Sequence, residues 1–300
     1  AAGCGLGERA FREGPPSAAR FAQYPRRPPL GCFVPLSGTH GIGGGTAAGA
    51  LVQCLRPIVR EGTAMAYDFK KEFRDLYQPK AAPALVDVPA MTFAAVAGAG
   101  DPNEEGGAYR QALELLYAFS YTVKMSKMGA WQPEGYFDYV VPPLEGLWWG
   151  DGGAFDGTGI ADKAALSWVS LIRQPDFVSA GTLPRIHEMA AGKKPALADA
   201  LESGELRLVR FSEGRCVQAM HRGPYDGEAA TISKLAAFVD AQGLRPDIGE
   251  AGSAQPADIL GMLDCDGDMP SIRLHHEIYL GDPRRTKPEN LRTVIRHPVA

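Results

Sequence analysis

The pattern of hydrophobic and polar positions divides the 300-residue chain near Met65. Before it, apolar residues lie scattered among Gly, Pro, Ala and Arg with no regular period, as in GPPSAAR and PRRPPL. Residues 1–64 are therefore expected to be largely disordered, an upstream extension that is not always present. After Met65 the pattern becomes regular. The apolar run from Met91 to Gly98 predicts a strand that ends at Gly100-Asp101-Pro102. A helix is predicted from about Glu104 to Met125, because Ala112, Leu115, Leu116, Phe119 and Val123 recur at helical spacing. Strands are predicted over Tyr136–Val141 and Ala165–Arg173. Between them lie PPLEGLWWG and a Gly/Asp-rich loop, Gly150–Gly159. A helix is predicted over Ala180–Ala191, interrupted early by Pro184.

The second half repeats this order. Cys216–His221 reads as a strand closed by Gly223-Pro224. Ile232, Leu235, Ala236 and Val239 mark a helix from about Glu228 to Gln242. Strands follow at His275–Leu280 and Leu291–Arg296. Gly100 and Gly223 stand 123 positions apart, as do Ile172 and Ile295. Two landmarks at one offset point to a duplicated strand–helix–strand–strand unit, with pseudo-repeats at about 85–200 and 205–300. The expected fold is α+β: two such units, their sheets forming a ligand cleft between the halves, with helices on the back.

The alternation in His275–Leu280 is the most informative stretch. Leu274, His276, Ile278 and Leu280 point one way, and His275, Glu277 and Tyr279 the other. The first set suits a core under helices. The second sets a carboxylate between an imidazole and a phenol, and a charge on the inner face of a sheet is costly unless partnered or functional. Glu277 is therefore expected in a ligand pocket. The alternative is a structural ion pair with Arg273, Arg284 or Arg296.

Composition narrows the field. At 45% hydrophobic and 22% charged, with 36 Gly and 24 Pro, the chain is globular with punctuated loops. The net charge of −4 argues against a nucleic-acid partner. It is uneven: residues 1–64 carry seven Arg, no Lys and three Glu, a balance of +4 that leaves −8 for the remainder. Five Cys with no C-x-x-C give neither a disulfide framework nor a zinc knuckle, so a cytoplasmic setting is expected. No apolar run is long enough for a membrane span. GIGGGT at Gly41–Thr46 lacks the features of a phosphate loop and reads as linker. The basic turn Asp282-Pro283-Arg284-Arg285 is expected to be solvated, its Asp paired with an Arg.

Six stretches carry a family resemblance: MAYDFKKEFRDLYQPK, SYTVKMSK, QPEGYFDYVVPPLEGLWW, IRQPDFV, MHRGPYDGEAATI and HHEIYLGDPRRTKPENLRTVIRHP. Together they make residues 65–300 resemble the GyrI-like small-molecule-binding proteins, and most nearly the branch of cyclopropanoid cyclopropyl hydrolases. The resemblance implies a duplicated β-α-β-β (SHS2-type) fold like that of regulatory effector-binding domains. It also implies a hydrolase that detoxifies DNA-alkylating compounds by adding water to a strained cyclopropane, without a cofactor. The alternative is a drug-binding or gyrase-modulating protein without catalysis. A transcription regulator is disfavoured, because no DNA-reading pattern precedes residue 65. The resemblance places Glu277 as the pocket glutamate and general base, its basicity raised by poor solvation.

Around it, Tyr279 could donate to a developing oxyanion, as could His221 and Tyr225, although a structural role suits His221 better. Glu145 is a candidate second carboxylate. Trp148, Trp149 and Trp168 are candidates for an aromatic wall. Of Tyr136 and Tyr139 only one can face the cleft, and Tyr139 is taken as the binder. Met125, with Met128, would line the mouth. No third ligand joins His275 and Glu277, so no metal is expected. The expected partner is a hydrophobic polycyclic or cationic small molecule, bound by a monomer or homodimer without nucleic acid or membrane. The stretch Gly249–Ser271 reads as a loop-like insertion.

Overall fold

The computed structural model describes residues 65–150 and 162–300. The expectations for residues 1–64, and for all of the Gly150–Gly159 loop beyond its first residue, lie outside them. In the described residues the strands are β1 (Ala84–Val88), β2 (Met91–Ala99), β3 (Leu144–Gly150), β4 (Leu166–Gln174), β5 (Arg207–Phe211), β6 (Gly214–Arg222), β7 (His275–Tyr279) and β8 (Arg292–Pro298). The helices are α1 (Phe69–Glu72), α2 (Arg74–Tyr77), α3 (Ala108–Lys124), α4 (Leu183–Lys193), α5 (Ala198–Glu202), α6 (Ala229–Ala241) and α7 (Pro256–Leu263).

The strands form one antiparallel sheet in the order β1-β6-β8-β7-β3-β4-β2-β5. The α+β class follows. The halves join edge to edge at the middle of this sheet, where β3 pairs with β7 and Gly146 stands opposite Glu277. The outer strands exchange partners: β1 pairs with β6, and β5 pairs with β2. β1 and β5 begin and end 123 positions apart, as do β2 and β6.

The two long amphipathic helices cover one face of the sheet. Ile232, Leu235 and Val239 of α6 bury themselves on Val217, Ala219 and Ile295, and Ile295 is the cross-strand partner of Glu277. From α3, Tyr109 packs on Trp148 and Trp168, and Ser120 accepts a hydrogen bond from Gln174 Nε2 at 3.0 Å. The helices thus lie on the same face as Glu277. This corrects the expectation that they would lie on the back. Alternation had separated the two faces of β7 correctly, but had not told which one the helices cover.

Three further expectations change. Tyr136–Val141 is not a strand; it touches a neighbour through the isolated parallel bridge Tyr67–Tyr139, and the strand starts after Pro142-Pro143. Prolines lack the N–H a ladder needs, and Tyr136, Phe137 and Tyr139 all gather on Phe177, which alternation would forbid. Pro184 does not interrupt its helix but lies in the first turn of α4, where a missing N–H costs nothing. The stretch Gly249–Ser271 contains α7, whose Ile259, Leu260 and Leu263 are buried against β2, β4 and β5. Among the described residues no helix is long and apolar enough to cross a membrane.

Candidate functional site

β7 carries a different polar cluster on each face. Toward α3 and α6 it presents His275, Glu277 and Tyr279. Two glycines shape this face. A Cβ on Gly146 would come 2.6 Å from Trp148 Nε1 and 3.2 Å from the Tyr279 hydroxyl. Without one, Trp148 Nε1 donates to the Tyr279 oxygen at 2.8 Å. A Cβ on Gly98 would likewise strike the Trp168 ring at 2.4 Å. The Tyr109 ring stands 5.5 Å from Trp148 and edge-on to Trp168 at 5.1 Å. Tyr225, from the turn before α6, meets Tyr279 edge-on at 5.6 Å. Glu277 is thus surrounded by aromatic side chains from both halves, and it is 8% exposed.

Its charge state is set by close partners. His275 Nε2 lies 2.9 Å from Glu277 Oε1, and His275 Nδ1 lies 2.7 Å from His297 Nε2. Glu228, the residue that opens α6, brings a second carboxyl alongside that of Glu277. Burial pushes Glu228 up, and the neighbouring Glu277 charge pushes it further, well above the usual carboxylate range. Burial also acts to raise Glu277, but His275, Tyr279 and Glu228 outweigh it and hold Glu277 below that range. The expectation of a raised Glu277 is therefore corrected: the aromatic surroundings do desolvate it, but hydrogen-bonding partners prevail. The raised group is its neighbour. Burial, with the Glu277 charge, keeps the Tyr279 and Tyr109 phenols protonated. Burial followed by Glu228 and Glu277 pushes Tyr225 up to about 12. Glu228 Oε1, Ser170 Oγ and Thr293 Oγ1 are buried without a well-formed hydrogen bond. Such groups suit a polar ligand or ordered water.

The other face holds an ionic network beneath the N-terminal segment. His276 Nε2 lies 3.0 Å from Glu145 Oε2, and its Nδ1 lies 2.9 Å from Glu213 Oε1. Arg296 donates to Glu213 Oε2 at 2.7 Å, to Gln218 Oε1 at 3.0 Å and to the Leu76 carbonyl at 3.0 Å. The Tyr77 hydroxyl donates to Glu145 Oε1 at 3.2 Å. Burial opposes charge on both His276 and Glu213, yet their mutual attraction wins. Glu213 and Glu145 raise His276 to about 9, and His276 and Arg296 hold Glu213 at about 2.

Several predicted site residues therefore lie away from Glu277. Glu145 is wholly buried in this second network, because the pleat turns it opposite to Gly146. Trp149 shares that side of β3 and is buried. Tyr139 is buried among Phe69, Phe137 and Phe177. Met125, 42% exposed at the end of α3, borders a separate depression of about 240 Å³ with Tyr121, Lys193 and Lys194. His221 has both ring nitrogens occupied, by Thr231 Oγ1 at 3.0 Å and the Pro224 carbonyl at 3.1 Å, so it anchors the start of α6. The structure brings Glu277, Tyr279, Trp148, Trp168 and Tyr225 together. The arginines considered as ion-pair partners for Glu277 are engaged elsewhere: Arg273 with Asp247, Arg284 with Asp282, and Arg296 with Glu213. Among the described residues no group of three His, Cys, Asp or Glu side chains is arranged to hold a metal ion.

Glu228, Tyr109, Ser170, Thr293 and His297 were missed from sequence. The signal available was the parallel between the two turns, Gly100-Asp101-Pro102 and Gly223-Pro224-Tyr225. Each leads into a helix whose first residues overhang the sheet centre.

Comparison with known proteins places this geometry. The model of the GyrI-like small molecule binding domain matches residues 81–251, and the chain belongs to that family. A conserved, uncharacterised protein of Listeria innocua has a crystal structure similar to this chain, at 43% identity and a TM-score of 0.65, covering 78% of this chain and 100% of its own. Two structures described as a hydrolase from Listeria innocua are each 41% identical, with TM-scores of 0.63 and 0.64, and also cover 78% of this chain and 100% of their own. No curated protein matches the chain.

Proposed function

We propose that the protein is a hydrolase that opens the strained cyclopropane of an electrophilic, DNA-alkylating compound by adding water, with the detoxification of such compounds as its role. The observation that carries this reading is the unequal carboxyl pair, Glu277 below and Glu228 above the ordinary range. One ionised and one protonated acid side by side form a base and an acid at the same pH. The description of 41% identical relatives as hydrolases supports the same class.

In this mechanism Glu277 takes a proton from water as its oxygen bonds to the cyclopropane methylene. The ring C–C bond breaks, and its electron pair passes through the conjugated system to a carbonyl oxygen. Glu228 delivers a proton to that oxygen, with Tyr279 as a further donor. Glu277 ends protonated and Glu228 ionised, and one proton exchanged between them or with solvent restores the starting state. Trp148, Trp168 and Tyr109 provide aromatic faces for a flat polycyclic body. Strain in the ring supplies driving force, so placing water, base and acid is the principal task.

The same aromatic side chains around an ionised carboxylate would also suit a non-catalytic binder of cationic drugs. Mass spectrometry of a cyclopropane alkylator incubated with the full chain separates the two. The hydrolase reading expects product heavier by one water at a rate proportional to enzyme. Tight binding without that product would support the binder.

A further inference from the structure

The strands that hold the Glu277 cluster on one face build a separate surface on the other. We propose that the depression between the N-terminal segment and the ends of β6 and β8 binds a small-molecule anion carrying a phosphate or carboxylate group. It encloses about 390 Å³, and Lys70, Lys71, Arg222 and Arg292 line it. Asp68 is the sole carboxylate in that lining, and it is already engaged. Its Oδ1 accepts from the Lys70 N–H at 3.0 Å, and its Oδ2 lies 4.0 Å from Lys71 Nζ.

The arrangement of the arginines is the telling feature. Arg222 and Arg292 are direct cross-strand partners in the β6–β8 register, so their side chains leave the same face. Like charges placed this way repel. Neither has a carboxylate partner among the described residues. The chain as a whole carries more acidic than basic residues, 35 against 31, so this concentration of positive charge is local. A concave basic surface draws anions toward it. An oxyanion seated between two guanidinium groups replaces their repulsion with charge-assisted, fork-like hydrogen bonds. Met220, Leu280 and Pro79, with Gln78, make up the rest of the lining, and the first three offer an apolar surface to the body of the ligand. Along their strands Met220, Leu280 and the two arginines alternate with His221, Tyr279 and Thr293, which face the Glu277 cluster. The two surfaces therefore stand back to back, and the anion site does not depend on the proposed hydrolysis.

The test is titration of the full chain with inorganic phosphate, pyrophosphate and citrate, followed by calorimetry and by backbone amide NMR shifts. Saturable binding of at least one of them is expected, with shifts centred on Arg222, Leu280 and Arg292 and with affinity falling as salt rises. Arg222→Gln and Arg292→Gln, both exposed strand-end positions, should each weaken it about tenfold, as expected for the loss of one charge-assisted interaction. Absence of saturation by all three anions would overturn the proposal, as would equal binding by wild type and both variants. Tighter binding of a short DNA duplex than of pyrophosphate at the same salt would also overturn it, by assigning the surface to nucleic acid.

Discussion

Glu228 and Glu277 bring their carboxyls together from different elements, one from the residue that caps the start of α6 and one from a central strand of the sheet, and the two are shifted in opposite directions. Burial acts to raise both groups, so it does not account for the difference between them. The partners that lower Glu277 make the difference: His275, whose Nε2 lies 2.9 Å from Glu277 Oε1, with Tyr279 and Glu228.

The pair makes the pH profile diagnostic. Turnover should fall at low pH as Glu277 takes a proton, at a pH below the ordinary glutamate value of about 4.5. It should fall again at high pH as Glu228 loses its proton, at a pH well above that value. Glu228→Gln cannot titrate but still donates. It should remove the alkaline limb and lower the rate by about 10²-fold or more, the usual scale for loss of an acid catalyst. An unchanged alkaline limb in steady-state rates would exclude Glu228 as the acid.

Gly146→Ala tests the close approach on β3. Its methyl would stand 2.6 Å from Trp148 Nε1, so Trp148 must move and its bond to Tyr279 must break. A loss of about 1–3 kcal/mol in unfolding free energy is expected, as for overpacking, along with weaker ligand binding. Denaturant melts and ligand titration of the same sample check both.

His276 and Glu213 predict a stability window. His276 is raised to about 9 in the folded protein, so its contribution is fully present below the unfolded imidazole value of about 6.5 and is lost as pH rises through about 9. Glu213 is held at about 2, so its contribution is present above the unfolded value of about 4.5 and is lost as pH falls toward about 2. Thermal midpoints measured across pH should decline on both sides. Glu213→Gln should flatten the acid side, at an overall cost because Arg296 and His276 lose their partner.

His297 adds to acid sensitivity through a different route. Burial, with His275 beside it, pushes it down to about 3, so protonation opposes folding as pH drops below about 6.5. His297→Gln should therefore lose less stability than wild type between about pH 6.5 and about pH 3, the interval between the two values. Parallel melting curves for the two proteins over that range would contradict the assignment.

Part of this site was legible in the chain. The alternation of His275–Leu280 correctly divided β7 into two faces and put His275, Glu277 and Tyr279 together on one of them. The solvated Asp282–Arg284 pair was legible too, because residues two apart in a turn can meet without help from the fold. Glu145 was not, because its side depends on the pairing register of β3 with β7, which a strand pattern apolar on both faces does not specify. Glu228 was missed for a related reason. At a helix start its direction depends on how α6 crosses the sheet, and the apolar stripe of the helix reports only its buried side. The strand expected at Tyr136–Val141 failed because an aromatic-rich extended segment reads the same whether it joins a ladder or packs on a cluster of rings.

The central claim concerns Glu277 as the base, and the most direct measurement is single-turnover kinetics of Glu277→Gln beside equilibrium binding of the same cyclopropane substrate. The account predicts binding within about threefold of wild type, with the chemical step slowed by about 10²–10⁴-fold, the range expected for removal of a general base. A variant that turns over at the wild-type rate, or one that loses binding and rate in equal measure, would contradict it.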